Sequence, residues 1–186
     1  MLTPPRISLS VILQRCLILN NTFPKRKKNR LAGYNYASGG AYFVTVCVQN
    51  PNVSLWNRVG ADIIRPDYEL VEEADIPLSA QGKIVETAIN NIPQHYTNIK
   101  VDKYCIMPDH IHLIIFIESE ENGRMISAPT LSTVIGQMKR WASKQIGQPI
   151  WQKGFYDRIL DSDNAYLEVW QYIDNNPRKY SKGFKF

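Results

Sequence analysis

The stretch MPDHIHLIIFI, residues 107–117, decides the fold. Pro108 and Asp109 are turn formers, and an apolar run follows, opened by His110 and His112. The run has strand length and is rich in isoleucine. Side chains of a strand alternate between faces, so Leu113 and Ile115 point one way and Ile114 and Phe116 the other. Both faces are apolar, which is the pattern of a central strand covered on both sides. His110 and His112 share a face at the mouth of that strand, with backbones roughly 6–7 Å apart. The chain has only three histidines, so two at one spot need a chemical reason.

Working outward, residues 99–106 read as a strand joined to the first by the tight turn Met107-Pro108-Asp109. AYFVTVCVQ (41–49) is β-branched and aromatic, with Tyr42, Val44, Val46 and Val48 on one face. LSAQGKIVETAINNI (78–92) has helical spacing, with Ser79 as its N-cap and Pro93 as its end. Leu131, Val134, Ile135, Met138 and Trp141 keep helical spacing up to about Ile146, after a cap at Thr130 or Ser132. Residues 149–160 are aromatic and partly extended. Asp161-Ser162-Asp163 signals a last helix over 164–175, which Pro177 is expected to stop. The order predicts an α+β domain, an antiparallel sheet with helices packed on one face.

At 186 residues and 44% apolar content the chain fits one domain with a real core. No apolar stretch is long enough for a transmembrane helix. Cys16, Cys47 and Cys105 have no metal-type spacing and are not expected to make a disulfide framework, which favours a reducing compartment. The first twenty residues resemble a signal peptide only faintly, because Gln14 and Arg15 interrupt the apolar part. Residues 1–24 are expected to be a poorly ordered arm and 25–186 the single domain.

The net charge of +5 is unevenly spread. Residues 1–30 carry seven Lys/Arg and no acid; residues 31–122 carry five basic and twelve acidic residues; residues 123–186 carry ten and five. Two basic ends around an acidic middle fit a polyanion met by the ends. They fit a solvated tail and ordinary helix faces equally well.

Two imidazoles on one strand face can converge on one metal ion, yet two rarely complete a site. Zinc takes three or four protein ligands, and magnesium prefers oxygens and water. The last helix offers a third group. In WQYIDNNPRKY (170–180), Tyr172 and Asn176 are four apart and share a helical face. If this helix lies near the strand mouth, the Asn176 amide oxygen is a ligand for a hard cation, and Tyr172 stands one turn away. A phenolic oxygen is a covalent nucleophile, and a divalent metal polarises a phosphoryl oxygen. A pair of ordinary satisfied histidines and a packed tyrosine remain the alternative at this point.

Taken together, RLAGYNYASGGAYFVTVCVQN (30–50), QGKIV (81–85), YCIMPDHIHLIIFI (104–117), LSTVIGQMKRWASKQI (131–146), PIWQKGFYDRIL (149–160) and YIDNNPRKY (172–180) resemble the single-tyrosine HUH transposases. More narrowly they resemble the REP-associated tyrosine transposases. The series is specific where the His-x-His triplet alone is weak. The resemblance implies a ferredoxin-like sheet with the motif on a central strand. It implies His110, His112 and Asn176 as ligands of Mg2+ or Mn2+, and Tyr172 as nucleophile. It also implies cleavage and joining of single-stranded DNA beside a hairpin or repeat, through a 5′-phosphotyrosine and without ATP. The family includes dimers that share active sites, while REP-associated members can act as monomers. A bacterial, cytoplasmic and nucleoid-associated location follows.

Weaker candidates for DNA contact are Lys25, Arg26, Lys27, Lys28 and Arg30 in the arm, Lys139, Arg140 and Lys144 on the penultimate helix, and Arg178 and Lys179. Tyr34 and Tyr36 are candidates for base stacking. Trp151 and Phe155 read as packing residues and His95 as a surface residue. Two other functions compete: a DNA-binding protein of the same fold that no longer cleaves, and a metallohydrolase using activated water, for which Tyr172→Phe would cost little.

Overall fold

The both-face apolarity of residues 110–117 is met by cover on both sides. In a computed structural model the described residues are 39–57, 77–118 and 129–181, with side chains described up to Pro177. The arm over 1–24, Lys25, Arg26, Lys27, Lys28, Arg30, Tyr34, Tyr36 and most of the polar loop 118–124 lie outside them. The elements run β1 (Gly40–Cys47), α1 (Ala80–Asn90), α2 (Ile92–His95), β2 (Ile99–Ile106), β3 (His110–Ile117), α3 (Leu131–Ile146), β4 (Tyr156–Leu160) and α4 (Asp163–Ser181). The sheet order is β2-β3-β1-β4, with every neighbour antiparallel. This is the ferredoxin-like βαββαβ arrangement with one helix added at its end.

α1 and α3 lie on one face, as expected. There Val85, Ile89, Val134, Ile135 and Met138 bury against Tyr42, Val44, Val46, Ile111, Leu113 and Ile115. α4 covers the opposite face, with Ala165, Val169 and Ile173 against Phe43, Cys105, Met107 and Ile114. A central strand apolar on both faces beyond its two histidines leaves no side to solvent, and α4 supplies the second cover.

Ser79 caps α1 by accepting a hydrogen bond from the Gly82 amide at 3.0 Å. The Ser79 amide donates to Leu55 O, and the Leu55 amide donates to Pro108 O, each at 2.9 Å. The helix start is thereby tied to the turn that precedes the histidines. Gly82 is required by this approach, since a Cβ there would stand 2.0 Å from the Leu55 carbonyl oxygen. α1 ends at Asn90, and Pro93 falls in the first turn of α2. A missing N–H costs nothing at that place. Thr130, rather than Ser132, caps α3, and Gly147 ends it at φ 83°.

The last helix departs from expectation. It does not stop before Pro177 but runs through it to Ser181. Proline removes one helical hydrogen bond and disfavours, without forbidding, the helical conformation of the residue before it. Burial of Val169 and Ile173 against the sheet offsets that cost. Polar contacts finish the docking: Lys103 Nζ lies 2.6 Å from Asp174 Oδ1 and 3.3 Å over the Trp170 ring, and Tyr166 donates to Asp102 at 2.7 Å. Among the described residues no helix is long and apolar enough to cross a membrane.

Candidate active site

The register of the sheet builds the site before any side chain is considered. β1 sets Thr45 opposite His112 and Cys47 opposite His110; β2 sets Cys105 opposite His112. Each histidine then uses one ring nitrogen for a neighbour. His110 Nδ1 lies 2.7 Å from Asp109 Oδ1. An ionised carboxylate only accepts, so Nδ1 carries a hydrogen, and in the neutral tautomer Nε2 keeps its lone pair. That Nε2 is buried without a hydrogen-bond partner among the described residues. His112 Nδ1 lies 2.8 Å from Thr45 Oγ1. In the tautomer that donates Nδ1–H to the threonine, His112 Nε2 is also left as an acceptor. The two rings stand with centroids 4.6 Å apart.

α4 delivers the other two groups. Residues 172 and 176 lie one above the other on a helix, and the face they share looks at the histidines. The Tyr172 hydroxyl lies 3.3 Å from His112 Nε2. Asn176 is 2% exposed, and its Nδ2 has no hydrogen-bond partner among the described residues. Phe43 completes the wall, stacked on His112 at 5.2 Å and edge-on to Tyr172 at 6.1 Å. The four residues singled out in the sequence therefore meet, drawn from β3 and α4.

The electrostatics follow from burial. Desolvation first, and the neighbouring His110 second, hold His112 well below the usual imidazole range, so the ring is neutral with its lone pair available. Burial pushes the Tyr172 phenol up, with Cys105 adding to this and the Asn176 amide opposing it. Burial likewise pushes the Cys105 thiol up to about 12, against the pull of the His112 backbone and Asn176. Cys105 is thus a packed thiol, not a thiolate. Burial works to raise the Asp109 carboxyl, but the hydrogen bond and charge of His110 outweigh it and leave the group below its ordinary value.

The donor set fits a hard divalent cation. The two imidazoles turn Nε2 inward, and an amide flip sets Asn176 Oδ1 where Nδ2 now stands. Buried polar atoms without partners ask for an ion or a water. Among the described residues no three His, Cys, Asp or Glu side chains cluster as ligands. The third place thus depends on the Asn176 amide, and further positions are left for water or a substrate oxygen.

Two contributors escaped the sequence reading. Thr45 is 1% exposed and orients His112; Phe43 backs both His112 and Tyr172. The available signal was a hydroxyl residue interrupting an otherwise apolar strand. Other candidates go elsewhere. Lys139 Nζ donates to Gln152 O at 2.7 Å and Gly154 O at 2.6 Å, pinning the segment before β4. Arg140 and Lys144 are exposed on α3, across the sheet from the histidines. Arg178 and Lys179 continue α4 past Asn176, with side chains outside the described set. Trp151 and Phe155 pack against the α1–α3 core, and His95 is exposed.

No protein-family model matches the chain. It is 26% identical over 171 residues to an uncharacterized protein of Haemophilus influenzae, covering 82% of this chain and 88% of the relative. It is 24% identical over 157 residues to a second protein of that organism, named "Putative REP-associated tyrosine transposase", covering 78% and 74%. Its fold resembles a solved REP-associated tyrosine transposase bound to a REP hairpin, with a TM-score of 0.58, 19% identity, and coverage of 81% and 74%. The resemblance read from the motifs therefore recurs in sequence similarity over about four fifths of the chain and in fold.

Proposed function

We propose that this chain, similar in sequence and fold to REP-associated tyrosine transposases, cleaves and rejoins single-stranded DNA beside a hairpin through Tyr172. The observation that carries the reading is the meeting of the Tyr172 hydroxyl with His112 Nε2 at 3.3 Å, beside the unpartnered His110 Nε2 and Asn176 Nδ2. A phenol, two imidazole lone pairs and an amide in one buried corner suit phosphoryl transfer to a tyrosine.

The steps assigned to the chain's own residues are these. Phe43 and the helix backbone hold the phenol in place. His112 accepts its hydrogen bond in the resting state, so the nucleophile waits protonated. Asp109 and Thr45 fix the two rings with Nε2 turned inward. The Tyr172 oxygen bonds to the scissile phosphorus, the bond from phosphorus to the 3′ oxygen breaks, and that oxygen leaves as a 3′-hydroxyl after taking a proton. The phenol's proton goes to solvent. A Mg2+ or Mn2+ ion held by His110, His112 and Asn176 would polarise the phosphoryl oxygen and neutralise developing charge. Attack by another 3′-hydroxyl on the phosphotyrosine reverses the exchange and joins strands, so no nucleotide cofactor is consumed. A DNA substrate of this kind accords with a cytoplasmic, nucleoid-associated protein. A monomer and a dimer with shared sites both accord with the chemistry.

The test is a covalent-adduct assay with end-labelled single-stranded DNA carrying hairpins from the flanks of the gene. A labelled protein band on a denaturing gel is expected with manganese or magnesium. It should disappear with chelator, with Tyr172→Phe and with His110→Ala. Cleavage without an adduct, retained in Tyr172→Phe, sinks the reading in favour of water as nucleophile. Binding with neither product, across all flanking hairpins, leaves a DNA-binding protein of the same fold.

A further inference from the structure

We infer that the cleft between α1–α2 and α3, across the sheet from Tyr172, is a second contact for single-stranded DNA, taking one unstacked base with flanking phosphates on Arg140 and Lys144. The inference rests on the proposed DNA substrate and adds a site to it. The cleft holds about 240 Å³ and is lined by His95, Tyr96, Gln137, Arg140, Trp141 and Lys144 over an apolar floor that includes Ile92, Val134 and Met138. That is below the roughly 300–1,000 Å³ of a drug-sized pocket. It suits one planar ring system and not a whole nucleotide.

The chemistry of the walls names the occupant. Trp141 and Tyr96 are half-buried and line the cleft, and aromatic side chains are platforms on which any base stacks. The Tyr96 hydroxyl donates to Gln137 Oε1, which fixes the tyrosine and leaves the Gln137 amide hydrogens for a base edge. Arg140 and Lys144 are exposed at the rim, and among the described residues no acidic side chain lines the cleft. The whole of α3 carries Lys139, Arg140 and Lys144 and no acid. Lys139 is engaged by backbone carbonyls, which leaves the two rim cations to a partner. α4 differs, with Asp163, Glu168 and Asp174 among its residues. A polyanion with flat apolar rings therefore matches the α3 side. An acidic peptide would match the rim but has no use for the aromatic walls.

Because the cleft and Tyr172 lie on opposite faces of the sheet, one strand must round the sheet to fill both. Affinity should depend on the cleft only for DNA long enough to do so. The experiment uses the full chain carrying Tyr172→Phe, so that binding is read without cleavage. Fluorescence anisotropy is recorded with long and short single-stranded flanking DNA over a salt series. Trp141→Leu should weaken long-strand binding roughly five- to hundredfold, and Trp141→Phe should restore most of it. Arg140→Gln with Lys144→Gln should lower the logarithmic salt slope by about 1.4. These two are exposed, so their loss tests the rim without threatening the fold, and melting curves check the tryptophan variants. Unchanged affinity and slope in both sets overturns the inference. So does equal weakening toward poly-glutamate, which would mark an unspecific anion patch, and so does the absence of any single-stranded DNA binding. The adduct assay is scored separately. An adduct with Trp141-independent binding removes the second site and leaves the chemistry; Trp141-dependent binding without an adduct does the reverse.

Discussion

His112 and Leu113 are neighbours in β3 and are both almost fully buried, yet they belong to different kinds of protein interior. Leu113 faces α1 and α3 in a continuous apolar core. His112 faces α4 among Thr45, Tyr172, Asn176 and an imidazole whose Nε2 has no partner. The first face gains stability from burial, about 25 cal/mol per Å² of apolar surface. The second leaves polar atoms buried and unpaired, each costing about 1–3 kcal/mol. The difference teaches where the fold keeps its stability and where it surrenders some to hold reactive groups in place.

Breaking the site face should abolish chemistry while sparing the fold. His112→Phe keeps a ring stacked on Phe43, so the melting temperature should stay near that of the parent while adduct formation falls to background. Residual adduct in this variant would remove His112 from the reaction. The opposite substitution is one residue away. Leu113→Ala should cost about 2–5 kcal/mol in denaturant unfolding, with adduct yield per folded molecule unchanged. A selective loss of chemistry there would mean that the two faces are not separable.

Finer changes sharpen the contrast. Thr45→Val is nearly isosteric and removes only the hydroxyl that orients His112. Manganese affinity, read by electron paramagnetic resonance, should fall roughly 10–100-fold, and Thr45→Ser should recover much of it. Equal affinity in all three proteins would reduce Thr45 to packing. Gly82→Ala drives a Cβ into the Leu55 carbonyl and should lower stability by about 1–3 kcal/mol, a loss visible in urea melts. Smallest of all, Asp174→Asn breaks the pair with Lys103 on the outer side of α4. Asp174 is 43% exposed, so the cost should stay within about 1 kcal/mol and shrink further in high salt. A larger loss would show that the polar clip, more than Val169 and Ile173, holds the tyrosine helix down.

Local pattern carried much of this molecule. β2 and β3 were legible from their alternation, and α3 from its helical spacing with its cap left between Thr130 and Ser132, because each is a strongly periodic segment bounded by a turn or a cap. Ser79 was identified as a cap from its position alone. The end of α4 was misread, because the proline rule weighs only the local backbone. The side chains that hold the helix through Pro177 lie on a strand distant in sequence. The motif series also carried the likeness to REP-associated tyrosine transposases, which similarity over about four fifths of the chain then met independently.

The sequence by itself determined that β3 is central, that His110 and His112 share one side of it, and that Tyr172 and Asn176 share one side of a helix. Those are consequences of the two-residue period of a strand and the 3.6-residue period of a helix. Only the tertiary structure decided that the two sides meet. It also decided that Thr45 lies opposite His112, that Lys139 is engaged by carbonyls, and that Tyr96 and Trp141 wall a common cleft. Such contacts depend on register and on which face each helix covers. Both are settled by burial across the whole domain and by no single stretch of chain.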